Sequence, residues 1–443
     1  MTPAPAPALI WGIPFVGLLL SIALLPMLAP RLWHRRMGAL ALLWSLALLV
    51  PLALTQGLHT VVGGLWHALA VEYLPFVTLL LALYTAAGGI LVRGIPGAGT
   101  PAGNTGLLAL GAVLAGVMGT TGAAMVLIHP LLAANTHRRR KLHLVMFFII
   151  LVANAGGATT PLGDPPLFIG FLRGVPFDWP LRNLGPPLLL FALPMLAAFY
   201  LIDRRRAAAD PKPPRRRPER FRLLGRGNVA LIPVVVLTVL ATGTWHAGDL
   251  DILGQHLPIA RAAGAAVFAA VALISILATP RAVRRANMFS WEPMREVAVL
   301  FAAIFVTIAP VLGMLQAALD GPLAPALRLT VDAEGNAVPL AYFWLAGILS
   351  AFLDNAPTYL VFFGLAGGDA AHLTGPMSRT LVAMSSGAVF FGALTYIGNA
   401  PNLMVRAIAA HRGVQMPGFL GYLGLAAGLL LPVFVLLSVV FFL

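Results

Sequence analysis

Asp164 and Asp354 are the two carboxylates that fall in the middle of long apolar stretches of this chain. An ionisable side chain at mid-membrane depth costs about 3 kcal/mol on insertion scales, so such a residue is read as functional by default. The chemistry open to it is binding of a hard cation such as Na+, or of a proton. Oxygen-bearing neutral residues gather at the same places. They are Thr120, Thr121, Asn154, Thr159 and Thr160 in the first half, with Gly157 beside them, and Asn355, Thr358, Thr395, Asn399 and Asn402 in the second. All of these are candidate ion- or substrate-binding positions, with Asp164 and Asp354 as the Na+ ligands. A capping role stands beside the functional one. Asp164-Pro165 reads as a helix N-cap followed by proline at the first helical position, Asn399 holds the corresponding place downstream, and Asp354 precedes Pro357 by three residues. Small residues around them also serve helix packing in membranes.

These residues lie at interruptions: Gly119-Thr120-Thr121-Gly122, the stretch from Gly157 to Pro166, Leu353-Asp354-Asn355-Ala356-Pro357, and the stretch from Gly392 to Pro401. A broken helix in hydrocarbon leaves backbone N–H and C=O groups unpaired. It is tolerated only where protein or a water-filled cavity covers it. The C-terminal ends of half-helices attract cations and the N-terminal ends attract anions.

The elements that must hold such breaks are membrane spans. Of the 443 residues, 59% are hydrophobic and 10% charged, where a soluble domain carries about a quarter charged. Apolar runs cover Leu9–Ala29, Gly38–Leu54, Leu74–Val92, Leu184–Ile202, Asn228–Trp245, Ala262–Thr279, Val297–Leu319 and Phe419–Phe442. Each approaches or exceeds the ~20 residues that cross a bilayer core. The chain has no cysteine, which excludes disulfides and thiolate metal sites. The net charge of +14 does not indicate nucleic acid, because the basic residues fall in short segments between apolar runs. That is the positive-inside pattern. No cofactor is expected beyond Na+ or H+ as coupling ions.

Placing the basic clusters inside gives a multi-pass protein of the inner (plasma) membrane. The clusters are Arg31, Arg35 and Arg36; Arg138 to Lys141; Arg204 through Arg226; and Arg281 to Arg285. Both termini are then outside and the basic linker 203–227 is cytoplasmic. Residues 106–134 start and end at basic segments and break at their middle, so they read as a re-entrant hairpin with arms of about 13 residues, ~20 Å each. Residues 142–172 read as an unwound crossing. In the second half 340–367 reads as a hairpin entered from outside and 379–409 as a second unwound crossing. Residues Gly157 to Pro166 resemble Gly392 to Pro401 at constant spacing, and nearly the same offset brings Asp354 opposite Thr120. The expectation is an all-α polytopic fold of two inverted repeats, 1–202 and 228–443. It has about ten transmembrane helices, two opposed re-entrant hairpins and two unwound helices, with the site near the midplane. Glu72 and Glu296 are expected at span ends, Arg173 and Arg406 are expected to snorkel, and His129 is expected to be a packed, hydrogen-bonded residue.

At these motifs the chain resembles the ion transporter superfamily, which takes in NhaD-type Na+/H+ antiporters, arsenite permeases and citrate/dicarboxylate carriers. The matching residues are Ala153 to Gly157, Thr160 to Pro166, Leu353 to Thr358 and Gly392 to Leu403. The resemblance implies a two-state carrier whose hairpins and unwound helices move as a unit past a scaffold, often in a homodimer, with sodium sites at the hairpin tips and unwound loops. Dicarboxylate carriers have Ser-Asn-Thr tips, whereas Thr120-Thr121-Gly122 and Asp354-Asn355-Ala356 stand here. Asp354-Asn355 and Gly163-Asp164 look more like the antiporter branch, while Asp164-Pro165-Pro166 looks like a family of citrate transporters.

The leading expectation is Na+/H+ antiport by alternating access. A carboxyl taken out of water holds a proton more tightly, and can trade it for Na+ at one site. The alternative is cation-coupled transport of citrate or another organic anion, held by half-helix N-termini after Gly163 and Gly398. A remote alternative, an intramembrane aspartyl protease, needs two aspartates on adjacent helices. No Walker A motif supports a primary pump. Enzymatic activity is not expected; the expected partners are the bilayer, a small ion or organic anion, and a second copy of the chain.

Overall fold

The structure is a computed structural model, and it describes residues 8–210, 220–245, 247–252, 254–317 and 320–443. The chain begins with α1 (Ile13–Leu28) and α2 (Pro30–Gln56). Pro30 sits at the first position of α2, where its missing N–H costs nothing. The helix therefore starts before the basic cluster, and Arg31, Arg35 and Arg36 occupy its first two turns rather than a loop. Gly57, at φ 89°, ends it.

The third span is longer than its apolar run suggests. Residues Leu58–Gly88 form one continuous helix of 31 residues: α3 (Leu58–Trp66), a π-helical segment (His67–Tyr73) and α4 (Leu74–Gly88). Glu72 consequently lies inside a helix and not at a span end.

After β1 (Leu91–Arg93) come α5 (Pro101–Met118) and α6 (Thr120–Ala134), joined at Gly119, whose φ of 80° a side chain would strain. The arms run antiparallel, because Asn104 near the start of α5 and Asn135 at the end of α6 exchange amide hydrogen bonds of 3.1 and 2.9 Å. The first arm has 18 residues and starts before Gly106. The Thr100 hydroxyl caps it by accepting from the Gly103 N–H at 3.1 Å, and Pro101 opens it.

The first interrupted crossing is α7 (Leu142–Leu151), a 3-10 turn (Ala155–Thr159) and α8 (Pro165–Leu172). Next, α9 (Trp179–Ala209) runs well into the segment expected to be a linker. Its last turns stay helical because Asp203 is buried there in a polar cluster. Of the remaining linker, 211–219 lies outside the described residues, and β2 (Arg222–Leu224) pairs antiparallel with β1.

The second half starts with α10 (Arg226–Thr244), the antiparallel strands β3 (Asp249–Ile252) and β4 (Gln255–Pro258), α11 (Ile259–Ala278) and α12 (Arg281–Ala286). The single span expected over 297–319 is a pair, α13 (Glu292–Thr307) and α14 (Ala309–Gln316), bent by 43°. Pro310 in the first turn of α14 cannot donate to the preceding helix, which explains the bend. After α15 (Ala324–Leu327) a second antiparallel hairpin follows, α16 (Pro339–Phe352) and α17 (Asn355–Leu365). Tyr342 and Phe362, at its open end, meet edge to face with centroids 6.0 Å apart. Then come α18 (Ala370–Thr374), α19 (Ser378–Phe390), a 3-10 turn (Phe391–Leu394), α20 (Ala400–His411) and α21 (Phe419–Leu437).

Among the described residues nine helices are long and apolar enough to cross a membrane, or ten if the bent pair is one span. The inner helices α7 and α19 are buried almost throughout, whereas α2, α9, α11 and α21 turn residues such as Leu42, Leu193, Leu277 and Leu420 outward. An apolar surface that extensive needs lipid rather than water around it. The fold is an all-α, multi-pass membrane protein.

Candidate functional site

Asp164 is the hub. It stands at the N-cap position of α8, yet its side chain makes no capping bond. Pro166, at the second helical position, has no N–H to offer, and the Leu167 N–H at the third bonds the Asp164 backbone carbonyl at 3.1 Å instead. The carboxylate is thereby released from local duty and accepts from elsewhere. Its Oδ1 takes the Thr120 hydroxyl at 3.3 Å and the Asn399 amide at 3.2 Å, and its Oδ2 takes the Asn355 amide. Asp164 is 1% exposed and Asn355 fully buried. Thr120 opens α6 and Asn355 opens α17, so the tips of both hairpins close on one carboxylate. The expectation that Asp164 caps its helix through the side chain is thus corrected.

Asn399 repeats the situation 235 residues downstream. It precedes Ala400-Pro401, makes no side-chain cap, and bonds instead to Asp164, to the Ala153 carbonyl at 3.2 Å and to Asn154 Oδ1 at 3.3 Å. Asn154 in turn donates to Asn402 Oδ1 at 2.8 Å, and Asn402 donates to the Gly392 and Thr395 carbonyls at 2.8 and 2.9 Å. A chain of amides therefore runs from Asp164 through one interrupted crossing into the other, satisfying carbonyls that unwinding exposed. The same 235-residue spacing matches Asn355, not Asp354, to Thr120. Asp354 corresponds to Gly119, since both are N-caps of second arms.

Two further pairs keep the interrupted crossings in shape. The Thr160 hydroxyl donates to the Gly116 carbonyl, and the Thr395 hydroxyl to the Ala351 carbonyl, each partner 44 residues upstream. The backbones of Gly157 and Gly163 touch, as do those of Gly392 and Gly398. A Cβ on Gly398 would come within 3.0 Å of the Gly392 α-carbon, and one on Gly163 within 2.8 Å of the Gly157 carbonyl carbon. Gly163→Ala and Gly398→Ala are each expected to destabilise the protein by about 1–3 kcal/mol, the usual cost of overpacking. Thermal unfolding in detergent checks this, with Gly424→Ala, which meets nothing within 4 Å, as control.

Asp354 does cap its helix, accepting from the Ala356 N–H at 3.2 Å, while the Thr358 hydroxyl returns to the Asp354 carbonyl at 2.9 Å. Unlike Asp164 it is only partly buried. It faces a cleft lined also by Thr120, Thr121, Asp164 and Asn399. Among the described residues, no Lys, Arg or His lines it. The apolar wall comes from Leu79, Leu83, Tyr84, Met294, Phe301 and Met404. These were not picked out from sequence, and nothing in a Leu- and Phe-rich chain distinguishes them.

The site candidates therefore separate. Thr120, Thr121, Asp164, Asp354 and Asn399 reach the cleft, and Asn355 reaches it through Asp164. Asn154, Gly157, Thr160, Thr358, Thr395 and Asn402 brace the backbone behind it, and Thr159 lies beside Gly116 away from the cleft. Arg173 does not snorkel: it pairs with Glu72 at 2.9 Å. Arg406 lies over the Tyr396 ring at 4.4 Å, and Glu296 accepts from the Trp33 indole at 3.1 Å. His129 is packed and bonded to the Asn287 carbonyl at 3.0 Å, as expected.

Apolar helices, two hairpins and two interrupted crossings that meet over a buried carboxylate define a helical multi-pass membrane protein with a polar centre. Over residues 5–442 the sequence matches the family described as "Putative citrate transport", and the chain belongs to that family. No curated protein matches the chain. The family is one of membrane transport, which the broken-helix architecture suits.

Proposed function

We propose that the protein is a secondary active transporter that exchanges protons for a cation, Na+ in the first instance, by alternating access at Asp164 and Asp354. One observation carries this reading: among the described residues Asp164 is held only by neutral donors, from both halves, beside a second carboxylate and with no basic side chain on the cleft. Such a site attracts positive charge. In the same reading residues 1–202 and 228–443 are inverted repeats, and their hairpins enter the inner membrane from opposite faces. Both termini are outside, segment 203–227 is cytoplasmic, and the chain works as a homodimer.

A second reading is cation-coupled transport of citrate or another organic anion. The family description favours it, and so does the meeting of four half-helix N-termini, those of α6, α8, α17 and α20. Against it, the carboxylate of Asp164 already occupies the place where the starts of α6 and α17 converge. Proteoliposomes with a trapped pH dye decide between them. An external Na+ pulse is expected to alkalinise the lumen with no organic anion present. A strict requirement for citrate would select the second reading.

A further inference from the structure

The two ends of the cleft are built differently. Leu83 and Tyr84 of α4, with Pro293 and Met294 of α13, line it near the ends of those helices that adjoin the basic segments at Arg93 and Arg281–Arg285. Toward the opposite end Phe76 stacks on Phe301 with centroids 4.6 Å apart, with Phe305 at 5.6 Å and Phe168 at 6.3 Å. This aromatic layer roofs the site. Beyond it, Arg173 Nη2 bonds Glu72 Oε1 at 2.9 Å, and Arg261 Nη2 donates to the Leu172 carbonyl at 2.6 Å.

Both contacts grip the end of α8, the helix whose first residue follows Asp164. Eight residues separate the latch from the site, about 12 Å of helix. Glu72 belongs to the π-helical segment before α4, and Arg261 to α11, which packs along α4. An ion pair between an exposed Lys and Asp would contribute little. Here both side chains are largely buried, at 27% and 17% exposure, and they join two elements that must part if the site is to open on that side.

We propose that Glu72, Arg173 and Arg261 are positioning residues that latch α8 to the α3–α4 helix and hold the site open only toward the basic loops. The inference rests on the transport reading but not on the identity of the cargo. Releasing the latch shifts the population toward the opposite-facing state, by the free energy that the contacts contribute to this state alone.

The absence of native cysteine makes the test direct. Thr121→Cys places a single thiol on the cleft, to be labelled by a membrane-impermeant maleimide in vesicles of either orientation. In the otherwise unaltered chain, labelling is expected only from the face bearing the basic loops. Adding Glu72→Gln or Arg173→Gln is expected to raise labelling from the other face at least about fivefold, the low end of ordinary coupling between sites. The exchange Glu72→Arg with Arg173→Glu is expected to restore the original sidedness. Independently, Glu72→Cys with Arg173→Cys, joined by a short thiol-reversible cross-linker, is expected to stop transport until a reductant is added. Labelling from the wrong face in the starting protein, or unchanged sidedness in both Gln variants, overturns the latch. So does full transport with the cross-link in place. A shift in labelling, with no flux of any cargo through the chain that keeps Thr121, leaves the latch standing and removes the transport assignment instead.

Discussion

Asp164→Asn is expected to abolish sodium-driven proton movement in proteoliposomes while the protein still folds. Asn keeps the size of the side chain, and its one carbonyl oxygen has two lone pairs, so Thr120 and Asn399 retain a partner. It cannot carry the charge that binds a cation, and it has no proton to exchange. Two of the three bonds at Asp164 are charge-assisted amide contacts, and each such bond contributes about 1.5–3 kcal/mol. Losing the charge leaves neutral bonds worth about 1 kcal/mol less each, so the hold of Asp164 on the starts of α17 and α20 weakens roughly thirtyfold. The variant also separates the two cargo readings. In an anion carrier the substitution empties a negative group from the place where α6 and α17 begin. Citrate flux would then persist or rise. The measurement is initial dye response to Na+ and, in parallel, uptake of labelled citrate, each normalised to reconstituted protein.

The largest effect on stability is expected away from the cleft, at Asp203. This residue is fully buried and collects the His143 ring N–H at 2.9 Å, the Asn104 amide at 2.9 Å and the Arg138 guanidinium at 3.1 Å. Asn104 and Asn135 close the open end of the first hairpin, so Asp203 fastens that hairpin to α7 and α9 at once. Asp203→Ala leaves the Arg138 side chain, 2% exposed, with Asp210 at 3.7 Å as its one remaining anion among the described residues. Stranding a buried charge in this way costs about 3–5 kcal/mol. A marked fall in the detergent unfolding midpoint is expected, and transport per folded molecule should stay near normal. Asp203→Leu combined with Arg138→Met, which removes both charges, is expected to recover much of the loss. Equal midpoints for Asp203→Ala and the parent would show that the cluster is not a fastening.

Much of the fold was legible because lipid imposes length and composition directly. Apolar runs of the right length became helices, and the two runs with Gly or Asp at their middle became hairpins. Helix ends were legible only where chemistry marked them. Thr100-Pro101 extends α5 beyond its apolar run, and Pro30 extends α2 over three arginines, because capping and proline geometry outrank hydropathy at a terminus. The linker was misread for a different reason. Arg204 to Arg206 and Ala207 to Ala209 are good helix formers, and what holds them in α9 is a long-range cluster around Asp203. No local window of sequence reveals that cluster. At the site the types of residue were legible but their duties were not. Asp164 reads as a cap until one notices that Pro166 lacks one of the two hydrogens it would accept; the other, on Leu167, goes to its backbone carbonyl. The Glu72–Arg173 pair was hidden because each partner alone looks like a residue at the end of a span.

The π-helical stretch from His67 to Tyr73 bears on how one long helix serves two environments. A wide turn adds a residue to the repeat, and one residue is about 100° of rotation in a helix. The part before it, with Leu58 and Val62 exposed, and the part after it, with Phe76, Leu79 and Leu83 buried, are therefore out of phase along a single rod. The stretch behaves as a phase shifter. It lets a continuous span face lipid near one end and the transport pathway near the other, and it sets the angle at which Glu72 meets Arg173.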